Sequence, residues 1–467
     1  MSELLFKWMP SKQDYLAFHI YASNDYKKTR TTGDGTFRQT DEQEQLFDYF
    51  VDNRDKSNLV TATLYHKHDF AENKKLETTL AFNKNWNTNE GERNENYVDW
   101  RYQNIYQFDN QRLSGTLNVD YTWDVTEANS LNIGSETRYV NDKINQTTSL
   151  YPIFKHREWS EYVYGAYSGK VDKFYYMLSA GVEGFWLKAG DETSHYVKPR
   201  AALSGTYAIN NSNSWQWDYR LTNHAPEIGQ LNPYNTSTDS LVVTRGNPGL
   251  LPEQLHRLST SYTWNKKGFY ITPSFEYTFY NDIVEPYGYS EKDIYISTYR
   301  NAGKYQTLSV SGTLSYRMGD WGRAYVYAGH GVNYYEGQDA RKYFACGGGF
   351  FAQYKKWSLD YCIDYQNQAY TAVSKTTFHT PSYSYLQLIY NFAPNFYISA
   401  AVQYMNNPQH TDVWTYSDTY QSFSASRMQD LSWRPWILIR YTFRKNVKKK
   451  IKLENVIQGS RENGIQL

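Results

Sequence analysis

Long runs of alternating polar and apolar residues constrain the fold of this chain more than any other feature. In residues 113–123, every odd position holds Leu, Gly, Val, Tyr or Trp, and every even position holds Ser, Thr, Asn or Asp. Successive side chains of a β-strand point to opposite faces, so the pattern predicts strands with one apolar and one polar face. The same alternation recurs in residues 269–279, 308–316 and 357–365.

The predicted strands are long, often ten to fifteen residues, whereas strands of ordinary globular sheets average about five or six. Eighteen of them are predicted, and an even number fits a closed antiparallel barrel. They cover residues 14–26, 57–68, 75–88, 110–124, 130–142, 157–170, 173–187, 196–209, 213–223, 254–265, 268–283, 292–317, 322–334, 342–354, 357–366, 376–391, 395–405 and 436–444.

The connections between these strands differ at the two ends of the predicted sheet. Tight turns are predicted at residues 265–268, 318–321 and 354–357. Long polar loops are predicted at residues 27–56, 89–109, 224–253 and 406–435. Short periplasmic turns and long extracellular loops are typical of outer-membrane barrels, and the assignment is consistent when residues 292–317 form one strand. The sequence therefore predicts an all-β fold, a transmembrane antiparallel β-barrel.

The composition is compatible with this class. Aromatic residues make up 18% of the 467 residues, too many for a disordered chain, although the mean hydropathy is −0.76. No window approaches the roughly 18 consecutive apolar residues that a spanning helix needs, and alternating strands keep the mean hydropathy low. The formal net charge is +1 and the charges are spread along the chain, so no nucleic-acid partner is predicted.

The barrel is predicted to occupy residues 14–444. Residues 1–13 lack the basic region, apolar core and cleavage site of a secretory signal. They are instead interpreted as the end of a truncated strand, residues 4–8, and the turn that follows it. We therefore expect the chain to begin inside a longer protein. Residues 445–467 are predicted to form a polar, basic periplasmic tail.

No catalytic chemistry is predicted. Gly347, Gly348 and Gly349 lack the Lys and Ser/Thr of a phosphate-binding loop, and no nucleophile elbow is present. Cys346 and Cys362 are predicted to lie on opposite faces of neighbouring strands, so no disulfide is expected. The ten histidines show no metal-ligand spacing. The sequence therefore predicts no enzyme activity, no cofactor and no metal.

One polar stretch, residues 220–253, is rich in Gly, Asn and Pro. Gly and Asn tolerate left-handed backbone angles and Pro fixes one angle, so this stretch predicts a chain reversal that packs rigidly back over the barrel mouth. Its candidate site residues, with a structural or ligand-facing role, are Arg220, Pro226, Asn232, Pro233, Gly246, Asn247, Pro248, Pro252 and Glu253.

These residues resemble the signature loop of TonB-dependent receptors, most closely the Bacteroidetes-type outer-membrane β-barrel family. Residues 300–304, Arg-Asn-Ala-Gly-Lys, resemble a second segment of that family on a following strand. The resemblance covers residues 14–444. It implies a barrel of about 22 strands around a plug domain, so the plug, the TonB box and about four strands are expected to be missing from this sequence.

The long loops carry aromatic residues that are candidates for stacking on a ligand above the pore. The alternative is that these rings belong to the interfacial aromatic girdle or pack loop on loop. The candidate ligand-stacking residues are Tyr234, Trp414, Tyr416 and Tyr420. Four further residues are predicted to face the lumen, where polar side chains are required with or without a solute path: Glu136, Arg138, Asp360 and Asp364.

The resemblance implies the barrel portion of an outer-membrane receptor that binds and imports a nutrient such as a siderophore, glycan or peptide. The implied partners are outer-membrane lipid, the nutrient, the TonB system through the missing plug, and the barrel assembly machinery. The last of these would read the aromatic-ended final strand at residues 436–444. A passive porin-like channel and a structural or adhesive surface protein remain alternatives.

Overall fold

The main sheet is a wall of strands that pair in chain order. The computed structural model describes residues 2–37, 45–146, 153–291, 294–405, 409–416, 421–428 and 433–441. Twenty strands form this sheet, and all but one pair antiparallel with their neighbours along the chain. The wall strands are β1 (Ser2–Trp8), β2 (Asp14–Phe37), β3 (Gln45–Ala71), β4 (Lys74–Tyr97), β5 (Arg101–Thr126), β6 (Asn129–Gln146), β7 (Phe154–Val171), β8 (Phe174–Ala189), β9 (Glu192–Asn210), β10 (Asn213–His224), β12 (Glu253–Lys266), β13 (Phe269–Glu291), β14 (Ile294–Met318), β15 (Gly322–Tyr335), β16 (Arg341–Tyr354), β17 (Trp357–Gln366), β20 (Tyr383–Ala393), β21 (Phe396–Gln403) and β24 (Arg434–Tyr441).

The twentieth strand, β11 (Val242–Thr244), lies within the connection between β10 and β12 and pairs parallel with β14. At the two ends of the wall, β1 pairs with β2 and β24 pairs with β21. Among the described residues these two edge strands have no other partner in the sheet.

The two faces of the wall differ in polarity as the alternation predicts. On β5, Leu117 is 38% exposed, whereas Ser114 is 1% exposed. Outward Val310 and inward Ser315 show the same contrast on β14. An apolar outer face and a packed polar inner face match a sheet that meets lipid outside and encloses polar groups inside.

All eighteen predicted strands are present in the wall, and β1 precedes them. The predicted tight turns are also confirmed, with left-handed residues such as Lys267, Gly268, Gly319 and Lys355 where the chain reverses. The single-turn helix α1 (Ile228–Leu231) lies between β10 and β11. No helix in the described part of the chain has both the length and the apolar character needed to cross a membrane.

Two predicted loops are wrong. Much of residues 27–56 and 89–109 continues strands β2 to β5, which are 24 to 27 residues long. Thr29 pairs with Asn53, and Asn53 pairs with Gly91. These segments mix polar and apolar residues on both faces, so the sequence loses its alternation although the backbone ladder continues. A loss of alternation therefore does not mark the end of these strands.

A second, four-stranded sheet lies in the connections at the loop end of the wall. Its strands are β18 (Gln368–Tyr370), β19 (Ser374–Phe378), β22 (Gln409–Tyr416) and β23 (Gln421–Met428). The predicted strand at 376–391 is therefore divided between β19 and β20, and the predicted loop at 406–435 contains β22 and β23. Short strands separated by few turn signals left this sheet undetectable in the sequence. The predicted tail at 445–467 lies outside the described residues.

Candidate functional site

The connection between β10 and β12 folds onto the inner face of the wall. We call residues 225–252 the inward loop. It begins with α1, where the Gln230 Oε1 accepts a hydrogen bond from the Glu227 backbone N–H at 2.8 Å. This side-chain cap fixes the first turn of the loop and aims its apolar residues at the wall.

An apolar cluster holds the inward loop against β6, β7 and β8. Ile228, Leu231 and Leu250 of the loop are each at most 2% exposed. Tyr234 packs against the same cluster, its ring edge toward the Phe154 ring at a centroid distance of 6.4 Å. The wall residues of the cluster are Ile144, Phe154 and Ala189. Burial of this many aliphatic and aromatic groups gives the loop a core of its own.

A second attachment joins the loop to β13 and β14. The Asn301 side chain accepts from the Leu251 backbone N–H at 2.8 Å and donates to the Leu251 carbonyl at 3.0 Å and to the Asp282 carbonyl at 2.8 Å. Asn247 Nδ2 donates to the Tyr299 carbonyl at 3.2 Å. Asn301 belongs to the Arg-Asn-Ala-Gly-Lys segment at residues 300–304, so this segment directly contacts the Gly-Asn-Pro stretch of the inward loop.

A third attachment joins the loop to β4. Arg93 donates to Asp239 Oδ2 at 2.7 Å and to Glu95, whose side chain is fully buried. Tyr97 and Ser240 hydroxyls lie 3.1 Å apart, and Ser240 also donates to Glu95. Burial raises the pKa of Asp239 above its usual range, and the Arg93 charge counteracts this only in part.

These attachments lie far apart on the wall. Nine strand-to-strand pairings separate β4 from β14 along the wall, because the wall continues from β4 through β10 and then from β12 to β14. The inward loop therefore crosses the inside of the sheet rather than following its rim. The stretch folds back onto the wall as predicted, and the wall residues that hold it, such as Tyr97, Phe154 and Ala189, lie at the loop ends of their strands.

The structure brings most of the predicted loop residues together. The Gly246 and Asn247 backbone N–H groups donate to the Asn232 and Gln230 carbonyls, so this turn packs against the end of α1. A Cβ atom at Gly246 would collide with the Gln230 backbone, which explains the glycine. Pro226, Asn232 and Pro252 are buried, and Pro233 and Pro248 are partly buried.

Two predicted residues lie at the borders of the loop. The Glu253 carboxylate accepts from the Val284 backbone N–H at 3.0 Å, which joins the start of β12 to β13. Arg220 lies on β10 and pairs with Asp218 at 2.9 Å. Arg220 is thus part of the wall and does not contact the inward loop in any described hydrogen bond or ion pair.

A polar cavity of about 480 Å³ lies beneath the start of the inward loop. Its walls come from β5 to β8 and the end of β10, and residues 225–229 close one side. The acidic and basic side chains that line it are Arg112, Glu136, Arg138, Glu158, Glu183 and Glu227, and the His156 and His224 rings also line it. Both signs of charge are present, so the cavity suits a polar solute with donors and acceptors.

Most of these charges are held by neighbours. Arg112 donates to both oxygens of Asp142, at 2.8 and 3.1 Å, and His156 Nδ1 lies 3.2 Å from Asp142 Oδ2. Arg138 donates to Glu158 at 3.3 Å. His156 is 2% exposed, and its Nε2 has no hydrogen-bond partner in the described structure. A buried ring nitrogen without a partner is a ready contact for a bound solute.

The predicted ligand-stacking residues do not form one site. Tyr234 packs inside the inward loop, as described above. Trp414 lies on β22 of the four-stranded sheet, where it is half exposed and contacts the Phe423 ring at 4.4 Å. Tyr416 ends β22, and Tyr420 lies outside the described residues.

Arg93, Glu95 and Asp239, which attach the inward loop to β4, were not predicted from the sequence. Arg93 and Glu95 are two residues apart and so share one strand face, but Asp239 lies almost 150 residues later in the chain. No local pattern reports such a contact. Of the predicted lumen residues, Glu136 and Arg138 line the cavity, whereas Asp360 and Asp364 accept from Tyr385 and Tyr327 elsewhere on the wall.

The fold and this arrangement define an outer-membrane β-barrel. Residues 66–431 match the outer membrane protein beta-barrel family, and the chain belongs to that family. The protein is therefore located in the outer membrane of a Gram-negative bacterium. No curated protein matches the chain.

Several solved structures have a similar fold. The copper transporter OprC matches with a TM-score of 0.64 and 10% identity, over 92% of this chain and 78% of that one. FpvA of P. aeruginosa, solved with a bound pyoverdine–iron complex, matches with a TM-score of 0.62 and 10% identity, over 94% and 69%. The FrpB iron transporter of Neisseria meningitidis matches with a TM-score of 0.53 and 10% identity, over 92% and 80%.

Proposed function

We propose that this chain is the barrel of a TonB-dependent receptor that captures a small polar nutrient from outside the cell and imports it with energy relayed by TonB. The inward loop is the observation that carries the proposal. It is tied to β4, to β6–β8 and to β13–β14, and it borders a charged cavity. A receptor needs a preformed pocket for its ligand, and the inward loop and the cavity together provide one.

The substrate class follows from the cavity. A volume of about 480 Å³ lined by both charges fits a small chelate, peptide or sugar with several hydrogen-bonding groups. OprC is a copper transporter and FpvA was solved with a pyoverdine–iron complex, so a metal chelate is one candidate within this class. The plug through which TonB acts would lie outside these 467 residues, and the Bacteroidetes-type assignment rests on the loop and the 300–304 segment.

Uptake by intact cells tests the proposal. Cells that produce the full protein are offered ferric siderophores, oligosaccharides and peptides, and the accumulation of each is measured with and without a protonophore. We expect one class to accumulate only in energised cells. Equal accumulation in both conditions would support a passive channel instead, and surface binding without accumulation would support an adhesive protein.

A pair of isosteric variants tests the site. Glu158→Gln removes a buried charge that lines the cavity, and we expect it to lower uptake at least about tenfold, since loss of a charged partner costs more than about 1.4 kcal/mol. Glu276→Gln is the control, because Glu276 pairs with Arg257 on the wall away from this cavity. Equal losses in the two variants would contradict the assignment of the cavity.

A further inference from the structure

Three metal-ligating side chains meet where the four-stranded sheet joins the wall. They are His379, His410 and Asp412, and one ligand atom from each lies within 4.8 Å of the other two. His379 stands between β19 and β20, whereas His410 and Asp412 share one face of β22. His379 directly follows β19, which pairs antiparallel with β22, so the cluster lies across two neighbouring strands of the small sheet. It is separate from the cavity beneath the inward loop.

The carboxylate is shared between the two rings. His379 Nε2 lies 2.6 Å from Asp412 Oδ2, and His410 Nε2 lies 3.3 Å from Asp412 Oδ1. The ring centroids are 4.5 Å apart with an interplanar angle of 31°. Both ε nitrogens thus face the same carboxylate, each toward a different oxygen.

The backbone holds the two histidines in place. The His379 N–H donates to the His410 carbonyl at 3.0 Å, and the His410 N–H donates to Thr380 Oγ1 at 3.1 Å. Gln409 Nε2 donates to the Ser382 carbonyl at 2.8 Å. These bonds bring the rings together before any ion binds, so the ordering cost of binding is small.

The distances suit a first-row divalent ion. Zinc–nitrogen and zinc–oxygen bonds of about 2.0–2.1 Å in a tetrahedron place ligand atoms about 3.3 Å apart. The distance between His410 Nε2 and Asp412 Oδ1 already matches one such edge. His379 Nε2 lies 2.6 Å from the other oxygen, Oδ2, so the His379 ring must turn from Oδ2 toward the ion. His379 is 41% exposed on its side chain, so its ring is able to move.

A second set of the same residue types provides a contrast. His66 and His68 both approach a single oxygen of Asp14, at 3.2 and 2.7 Å, and Ser11 Oγ donates to the other oxygen at 2.7 Å. Their ring centroids are 6.4 Å apart. Here the carboxylate is saturated by hydrogen bonds, and the rings do not converge as they do at His379 and His410.

We propose that His379, His410 and Asp412 bind one borderline divalent ion, Zn²⁺, Cu²⁺ or Ni²⁺, which links the end of β19 to β22 within the four-stranded sheet. Two imidazoles and one carboxylate are the ligand types these ions prefer. The exposed His379 side chain leaves the site open to solvent on one side. Arg427, opposite His410 in register, is exposed, and water screens its charge. This site is independent of the proposed transport function.

Binding of Cu²⁺ and Zn²⁺ to the untagged full chain in detergent tests the proposal. Electron paramagnetic resonance of the Cu²⁺ form reports the number of imidazole ligands, and calorimetry with Zn²⁺ reports affinity and stoichiometry. We expect one ion per chain with two imidazole nitrogens. His379→Gln, His410→Gln and Asp412→Asn should each lower the affinity at least about tenfold, the lower bound for loss of even an outer partner of a metal.

The double variant His66→Gln/His68→Gln is the matched control, and it should leave both signals unchanged. Circular dichroism confirms that every variant is folded as β-sheet. Absence of bound Cu²⁺ and Zn²⁺ in the wild type would overturn the proposal. A signal that disappears in the control and persists in His379→Gln would overturn it equally.

Discussion

At the residue scale, the inward loop depends on a few side chains that bridge distant parts of the chain. Asn301 satisfies both backbone groups of Leu251, and Arg93 neutralises carboxylates from the wall and from the loop. The sequence points to both the 300–304 segment and the stretch that contains Leu251, but not to the contact between them. Side-chain amides that clamp a backbone in this way leave no local pattern, because the bonded groups belong to the main chain of another segment.

Replacement of Asn301 tests the attachment to β13 and β14. Asn301→Asp keeps the acceptor for the Leu251 N–H but loses two donated bonds and turns a carboxylate toward two carbonyl oxygens. We expect the docked loop to lose about 1–3 kcal/mol of stability, at about 0.5–1.5 kcal/mol per hydrogen bond. Limited proteolysis should then cut within residues 232–251 faster than in the wild type.

The control for this variant is Asn73→Asp. Asn73 Nδ2 donates to the Asp124 carbonyl at 3.1 Å in a tight turn at the opposite end of the wall. The same chemical change there should leave the cleavage rate of the inward loop at the wild-type value. If the inward loop is cleaved at the same rate in Asn301→Asp and in the wild type, Asn301 does not hold the loop to β14.

Removal of Arg93 gives a pH-dependent effect. Arg93→Met leaves Glu95 and Asp239 without their cation, at a cost of about 3–5 kcal/mol for a broken buried pair. Burial already raises the pKa of Asp239, and loss of the Arg93 charge removes an influence that lowers it. The variant's loop should therefore detach as pH rises through the raised pKa of Asp239 and dock again on acidification, where the neutral carboxyl prevails.

Hydrogen–deuterium exchange of residues 236–246 at several pH values measures this effect. Arg257→Met is the control, because Arg257 pairs with Glu276 on the wall and does not touch the inward loop. Exchange in Arg93→Met that slows as pH rises, after correction for the intrinsic rate, would be the opposite of the expected result.

At the element scale, the wall is much taller on one side than on the other. Strands β2 to β5 have 24 to 27 residues, whereas β20, β21 and β24 have 11, 8 and 8. A tilted strand crosses the apolar part of a membrane in about 9–11 residues. The membrane part of every strand was predictable because lipid enforces alternation. The projecting part was not, because outside the lipid both faces accept polar and apolar residues alike, and the buried residues there include Glu95 as well as Tyr106.

Exchange of backbone amides tests the projecting ladder. Residues 48–56 and 88–96 pair with each other in register, so their amides are hydrogen-bonded across strands. We expect them to exchange at least about tenfold more slowly than unstructured peptide amides, as do residues 59–66 within the same strands. If these amides exchange as fast as those of an unstructured peptide, residues 48–56 and 88–96 are loops, as the sequence predicted for most of them, and not strands.

At the scale of the whole molecule, the inward loop crosses the inner face of one large sheet and joins β4 to β14. Local sequence patterns were enough to predict the family, the strand order and the outer-membrane location. These patterns are the alternation, the tight turns and the Gly-Asn-Pro stretch. The cavity combines residues from β5 to β8, β10 and the inward loop, and the His379 cluster combines residues from two segments about 30 residues apart. Only the pairing of the strands and the fold-back of the loop bring these residues together, so neither site was predictable.

The central claim is that the inward loop lies inside the wall, and thiol labelling of intact cells tests it most directly. In a background with Cys346→Ser and Cys362→Ser, Ser240→Cys places a thiol at the contact with Glu95 and Tyr97. Asp339→Cys, on the exposed loop between β15 and β16, is the control. A bulky impermeant maleimide should label Ser240→Cys at least about tenfold more slowly than Asp339→Cys, with Arg93→Met abolishing the difference. Equal labelling rates at both positions in the unaltered loop would contradict the account.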